Sequence, residues 1–339
     1  MTDRPATFRL LTPPGSRARA GELLTPHGTV ATPVLLPVGS QGSVKALTPE
    51  DVCQSGFSML LANTYHLHLR PGIPVIDAIG GLHRFMGWDG AILTDSGGYQ
   101  VFSLAGLRKV DDDGVTFRSH LDGSQHRLTP ELVVEYQQAL GADVIMVLDE
   151  CAPADADKAT VRRAMLRTNH WAERCRRAQT RGDQALYAIV QGGVYPDLRR
   201  ESAEFLVSEN FPGYAIGGLS IGEPKQVTLD ITEETAALLP EDKPRYLMGV
   251  GSPEDIVEGV ARGVDIFDSA LPTRVARNGS LFTMAGRLNV LNAAYATDRE
   301  PIDPECNCYT CRRFSAAYLN HLFKARELLA YRLATLHNL

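Results

Sequence analysis

The chain is expected to fold as an α/β protein, a (β/α)8 TIM barrel with an inserted β-hairpin and an appended C-terminal subdomain. Three features of the sequence predict this: eight short apolar runs, helix-start signals in the stretches between them, and a cysteine cluster near the C-terminus.

The apolar runs are Ala31–Val38, Gly56–Asn63, Ala91–Asp95, Ala142–Glu150, Ala185–Gln191, Tyr214–Leu219, Arg245–Gly249 and Val264–Asp268. Their hydrophobicity is continuous rather than alternating, which suits parallel strands buried on both faces. Eight strand–helix repeats in 339 residues favour a closed barrel over an open doubly wound sheet. Thr48-Pro49-Glu50, Thr129-Pro130-Glu131 and Ser252-Pro253-Glu254 each set a capping hydroxyl before a proline at the first helical position. The acid that follows suits the positive end of a helix. Gly114–Leu128 departs from the repeat: Asp122-Gly123 between polar-alternating arms reads as an inserted β-hairpin. Without a low-complexity linker, the economical division is residues 1–282 for the barrel and 283–339 for a subdomain that includes the last barrel helix.

Hydrophobic residues make up 44% of the chain and charged residues 22%, values that support a sizeable core. No apolar run approaches the roughly 20 residues of a membrane span, and Met1–Leu10 lacks the apolar core of a secretory signal. A cytoplasmic location with no membrane partner is the expectation. The net charge of −6 argues against a nucleic-acid partner for the surface as a whole. From Ala270 to Leu339, however, nine Lys/Arg stand against five Asp/Glu, a surplus of four, so the remainder carries −10. A basic C-terminal quarter on an acidic body is compatible with binding a phosphate backbone at one place.

Three of the six cysteines are scattered, whereas Cys306, Cys308 and Cys311 crowd into six positions and are followed by His337. In a reducing compartment such a cluster reads as metal ligands rather than disulfides. Three thiolates and an imidazole close a tetrahedron around zinc with no open position, so the site is structural. Arg313–Thr335 reads as one helix that returns His337 to the cysteines and orders a segment too small for its own core. His321, the rival ligand, falls mid-helix and is expected to face solvent.

In a barrel, catalytic groups collect where strands finish, and here the finishing residues are polar. Asp95 ends one run, Asp149 and Glu150 another, Gln191 a third and Asp268 the eighth. Three carboxylates with Gln191 and no histidine cluster argue against a catalytic metal. They fit chemistry at a sugar carbon, in which one carboxylate attacks, another handles a proton and a third reads the ligand. The paired glycines in Gly97-Gly98 and Gly217-Gly218 let backbone amides approach a flat ligand.

Several strings resemble the tRNA-guanine transglycosylases, also called queuine tRNA-ribosyltransferases. They are Asn63-Thr64-Tyr65-His66-Leu67, Thr94-Asp95-Ser96-Gly97-Gly98-Tyr99-Gln100, Asp149-Glu150-Cys151, Gly217-Gly218-Leu219, Phe267-Asp268, Leu271-Pro272-Thr273-Arg274 and Arg277-Asn278-Gly279, together with the zinc pattern. The resemblance runs in order from about Phe8 to the last residue. It implies exchange of the wobble guanine of tRNAs for Asp, Asn, His and Tyr for a 7-deazaguanine. Asp268 would be the nucleophile on the ribose and Asp95 the general base. Asp149, Gln191, the Gly218 amide and the Leu219 backbone would hold the base edge, with Tyr99 and Met248 sandwiching the flipped ring. Glu223 would orient the Leu219 peptide, and Arg274 and Arg277 would contact the anticodon loop.

Cys151 and Ile221 match the bacterial branch, which uses 7-aminomethyl-7-deazaguanine; a β-branched wall at Ile221 leaves no room for the bulkier queuine. The resemblance further implies a homodimer; relatives usually continue for several more helical turns beyond the zinc histidine. A non-catalytic RNA-binding subunit of such an enzyme should lack one carboxylate, yet Asp95 and Asp268 are both present. A hydrolase of free sugars explains the acids but not the cysteine knuckle or the two arginines.

Overall fold

The computed structural model describes residues 6–13, 15–104 and 108–339. Eight parallel strands form its centre: β1 (Val34–Pro37), β2 (Met59–Asn63), β3 (Ala91–Asp95), β4 (Val144–Met146), β5 (Ala185–Val190), β6 (Tyr214–Ile216), β7 (Arg245–Leu247) and β8 (Ile266–Ser269). Seven of the eight apolar runs contain one of them, and β8 runs one residue beyond the eighth, to Ser269. From β2 to β8 each strand pairs with the next, β8 pairs with β1, and an isolated parallel bridge between Val38 and Leu61 closes the ring between β1 and β2. Every residue of β2, β3 and β5 is buried, as expected when helices cover the outside and side chains fill the inside.

The three capping hydroxyls act as their positions suggest. Thr48 and Asp51 exchange side-chain-to-backbone hydrogen bonds across the first turn, and Thr129 and Ser252 accept from the backbone N–H groups of Leu132 and Asp255. Each thus satisfies a donor that a helix start leaves unpaired. Asp51 also meets Arg332 of the last helix, Leu328–Asn338, with N–O contacts of 2.7 and 3.0 Å. That ion pair joins the first and last helices of the outer ring.

An N-terminal antiparallel sheet (Thr7–Leu10, Gly21–Thr25, Gly28–Thr32) lies at the end of the barrel where the strands begin. Two buried carboxylates fasten it there. Arg19 donates to Asp265, which precedes β8, and His27 meets Asp143, which precedes β4, at 3.1 and 2.7 Å. Ala31 and Thr32 therefore belong to this sheet and not to the first barrel strand, because Pro33 has no N–H with which to continue the ladder. With the entry end covered, the opposite end is left for a site.

The inserted hairpin is present as Gly114–Arg118 and Gln125–Leu128, with Gly123 at φ +75° in its turn, and a third strand, Arg108–Asp111, pairs alongside. At the C-terminal end, the expected single helix over Arg313–Thr335 is instead two. Ala316–Lys324 ends before Arg326, whose φ of +58° cannot continue a helix, and Leu328–Asn338 follows at a new angle. The break lets Leu319, Leu322 and Phe323 pack against Ala330, Leu333 and Ala334 in a small core of their own. No helix among the described residues is long and apolar enough to cross a membrane.

Candidate active site and metal centre

Asp95 is the last residue of β3, Asp149 stands three residues beyond β4, and Asp268 is the third residue of β8. Because the strands run in one direction, all three reach the same mouth, where they line a cleft of about 510 Å³. Asp95 lies against Asn63, its register partner on β2. Its Oδ1 accepts from the Thr64 backbone N–H at 2.9 Å, and its Oδ2 accepts from the side-chain amides of Asn63 and Gln100. Burial pushes its pKa up to about 7; the donors from Asn63, Thr64 and Gln100 pull against this, and the charge of Asp268 adds to it. The two carboxylates therefore sense each other across the cleft.

Asp268 is held asymmetrically. The Tyr246 hydroxyl donates to Oδ1 at 2.6 Å and the Gly249 N–H donates to the same oxygen at 2.8 Å. Among the described residues no protein donor meets Oδ2. Burial raises its pKa, and the bonds from Tyr246 and Gly249 oppose the rise.

Asp149 forms a second centre with Gln191, whose Nε2 donates to Oδ2 at 2.8 Å, while Ser96 Oγ donates to Oδ1 at 3.2 Å. Burial pushes this carboxyl up to about 6 against those two donors. Glycine is required on both sides. A Cβ at Gly98 would stand 2.6 Å from Asp149 Oδ1, and one at Gly218 would stand 2.3 Å from Gln191 Oε1. Gly218 also has φ +66°, which L side chains rarely adopt.

Gly218, Leu219 and Ile221 line the cleft, and Glu223 sits behind them. Glu223 accepts from the backbone N–H groups of Ser220 and Ile221 and from the Thr228 hydroxyl. Burial acts to raise its pKa, but the bonds from Thr228 and the backbone hold it below the usual range. In a planar trans peptide C=O and N–H point opposite ways, so turning the Ser220 N–H toward Glu223 turns the Leu219 carbonyl away from it. Tyr99, 49% exposed, and Met248 also line the cleft. Arg274 reaches it, whereas Arg277 lies outside and donates to the Thr273 carbonyl. The acids and Gln191 stand out in the sequence as polar ends of apolar runs, whereas nothing in it marks Tyr246, Asn63 or Thr64 as their partners. A tyrosine inside an apolar strand gives no sign that its hydroxyl will meet an acid on the next strand.

The ligand atoms of Cys306, Cys308, Cys311 and His337 all lie within 4.8 Å of one another. His337 Nδ1 is 3.6 Å from Cys308 Sγ and 3.2 Å from Cys311 Sγ, while its Nε2 lies 2.7 Å from the Phe282 carbonyl. That carbonyl accepts a hydrogen bond from Nε2–H, which leaves the Nδ1 lone pair free as the ligand nitrogen. Tetrahedral zinc sets sulfur–nitrogen edges of about 3.5 Å, so the donor set fits such an ion. His321 is exposed, as expected for a non-ligand.

His27, His83 and Asp143 form a second close group at the opposite end of the barrel. Their imidazoles stack at 3.5 Å with planes 14° apart, and His83 Nε2 also lies 3.1 Å from the Gly90 carbonyl. Stacked rings do not converge on one ion, so this group is a hydrogen-bonded clamp.

Comparison with known proteins agrees with the geometry. The family profile described as "Queuine tRNA-ribosyltransferase" matches residues 15–339. A queuine tRNA-ribosyltransferase of Dehalococcoides mccartyi is 63% identical over 324 residues, covering 96% of this chain and 83% of the relative. One from Thermoanaerobacter pseudethanolicus is 60% identical over 325 residues (96% and 87%), and one from Desulforamulus reducens is 57% identical over 324 residues (96% and 88%).

The burial of Asp149 has a measurable consequence. A carboxyl whose native pKa lies above its unfolded value costs stability once the unfolded chain ionises. For Asp149 the cost begins above about pH 4 and is complete once pH exceeds about 6. Asp149→Asn, which can keep a partner on both Gln191 and Ser96, is expected to melt higher than wild type at pH 8 and to lose that advantage at pH 4. Thermal melts at the two pH values check this; a gap that is the same at both would remove the buried charge as its cause.

Proposed function

This chain belongs to the queuine tRNA-ribosyltransferase family, pentosyltransferases with tRNA-guanine transglycosylase activity, and from that premise we propose a division of labour in its cleft. Asp268 is the nucleophile. Its Oδ2 attacks the anomeric carbon of the wobble ribose, the bond from that carbon to guanine N9 breaks, and guanine leaves with a proton that the Asp95 carboxyl gives to N9, which leaves Asp95 ionised. A covalent aspartyl-ribose intermediate remains. Asp95 then takes the N9 proton of the incoming base, whose nitrogen displaces Asp268 from the same carbon. Two displacements retain the sugar configuration, and one glycosidic bond replaces another without redox chemistry or an energy source.

The observation that carries this reading is the asymmetry of Asp268. Tyr246 and Gly249 both bind Oδ1 and thereby aim the carboxylate, while Oδ2 meets no protein donor among the described residues. Asp95, with its pKa near 7, suits a group that must both take up and release a proton at neutral pH.

The base itself is held at its edge by Asp149, Gln191, the Gly218 N–H and the Leu219 carbonyl, with Tyr99 and Met248 on its two faces. Flipping the target nucleotide out of its stack makes that sandwich accessible. Ile221 on the cleft wall favours the small 7-aminomethyl-7-deazaguanine. The substrates are tRNAs for Asp, Asn, His and Tyr, gripped at the anticodon loop by Arg274 and Arg277. Cys306, Cys308, Cys311 and His337 would hold a zinc ion whose role is structural: these four donors leave no position open for a substrate, and the ion would tie the cysteine knuckle to the last helix. Residues 1–282 form the catalytic barrel and 283–339 the zinc-binding subdomain. The enzyme works as a homodimer in the cytoplasm, with one subunit catalysing while the other supports the RNA; sedimentation at assay concentration tests the assembly.

Three measurements probe these assignments. Asp268→Asn is expected to form none of the covalent RNA adduct that wild type traps with a deazaguanine inhibitor, and unchanged trapping would remove Asp268 from the nucleophile role. Cys311→Ser should lower bound zinc from one per chain to below about 0.2 by elemental analysis, since a ligand is lost from a closed site. Retention of full zinc would mean the ion is held elsewhere. Ile221→Gly should raise kcat/KM for queuine relative to the aminomethyl base by about tenfold, the scale of pocket-shape discrimination; unaltered selectivity would assign pocket size to another residue.

A further inference from the structure

Behind the Asp149–Gln191 pair, the helix Pro196–Ser208 carries Arg199, whose side chain points into the protein and is 1% exposed. Its hydrogen bonds run to backbone carbonyls at the exits of two strands. Nη1 donates to Val190 at 2.8 Å, Nε to Gly193 at 2.9 Å and Nη2 to Gly218 at 3.4 Å. Val190 and Gly193 flank Gln191 in sequence, and the Gly218 backbone lies against the Gln191 amide. One rigid planar group therefore fastens the chain on both sides of Gln191 and the exit of the neighbouring strand.

The local backbone is shaped to permit this. A Cβ at Gly192 would stand 2.8 Å from the Arg199 backbone nitrogen, so only glycine lets the helix start come so close to the loop. Taking a guanidinium out of water is costly, and a buried ionic group is often replaced by apolar side chains without loss of stability. Burial pulls the Arg199 pKa down, but only to about 10, so the group stays charged at neutral pH. Packing alone does not account for a charged fork at this position, whereas the three carbonyls it holds do.

We propose that Arg199 is a positioning residue for base recognition, setting the Gln191 amide and the Gly218–Leu219 peptide at the spacing a purine edge requires. This rests on the reading above that Asp149, Gln191 and Gly218 hold the base. Arg199 touches no reacting atom and acts through the two strand exits. Lysine keeps the charge but lacks the fixed fork, so it cannot serve three carbonyls at once.

The test uses the full chain with guanine and unmodified tRNA. Arg199→Lys is expected to weaken binding of free guanine, measured by calorimetry, and to raise the KM for guanine, each about tenfold, the scale on which small misplacements act. The Kd for tRNA by gel shift should stay within about twofold. Arg199→Met should show the same split, because it too lacks the fork. Gln191→Ala is measured in parallel. If Gln191→Ala weakens guanine but Arg199→Lys binds it within twofold of wild type, the positioning role falls and the base site stands. If Gln191→Ala leaves guanine binding unchanged, the base lies elsewhere and both readings fall. Equal losses of guanine and tRNA affinity in Arg199→Lys would mark a general structural defect and overturn the proposal.

Discussion

The closure of eight strands running in one direction is the constraint on which the rest of the molecule depends. Parallel register sets Asn63 beside Asp95 and brings Asp268 next to β1, opposite Leu36, so that acids separated by more than 170 positions in the chain meet at one mouth. An antiparallel arrangement of the same runs would send alternate polar ends to opposite sides. The plugging of the other mouth by Arg19–Asp265 and His27–Asp143 follows from the same geometry: the strand starts also carry buried acids, and there each has a basic partner.

Asp143 is buried, yet bonds from His83, His27 and the Ile92 N–H overcome its desolvation and hold its pKa below the usual range. Asp95 and Asp149 are also enclosed but, among the described residues, meet only neutral donors, and burial prevails. Pairing with a cation does not by itself decide the outcome, since burial still pushes Asp265, beside Arg19 and Arg245, up to about 6; the balance of desolvation against the donors on each carboxylate does.

The C-terminal segment is bound to the barrel through its last helix. Arg332 reaches Asp51 on the first barrel helix, Asn338 bonds the backbones of Pro272, Ser280 and Phe282, and His337 turns one nitrogen to Phe282 and the other to the cysteines. The helix Leu271–Arg277, which follows Asp268 and carries Arg274 and Arg277, packs directly against it. The cysteine and histidine cluster therefore lies on the segment that braces the helix after Asp268, without touching that carboxylate.

The order of residues alone determined the eight strands, because a strand covered on both faces must be apolar throughout, and it determined the caps and the cysteine cluster, because those depend on spacings of a few positions. It also exposed Asp95, Asp149, Gln191 and Asp268, since a polar residue at the end of an apolar run stands out. The N-terminal sheet was hidden, its strands being short and half exposed, and Ala31 and Thr32 merged with the following apolar run. The break at Arg326 was hidden too, because its neighbours all favour helix and only packing of the two halves against each other imposes the turn. Tertiary structure alone decided which atoms touch: Tyr246 on Asp268, Asn63 on Asp95, Arg199 behind Gln191. Those contacts join residues on different strands and helices, and their distances are set by barrel closure rather than by any local preference of the chain.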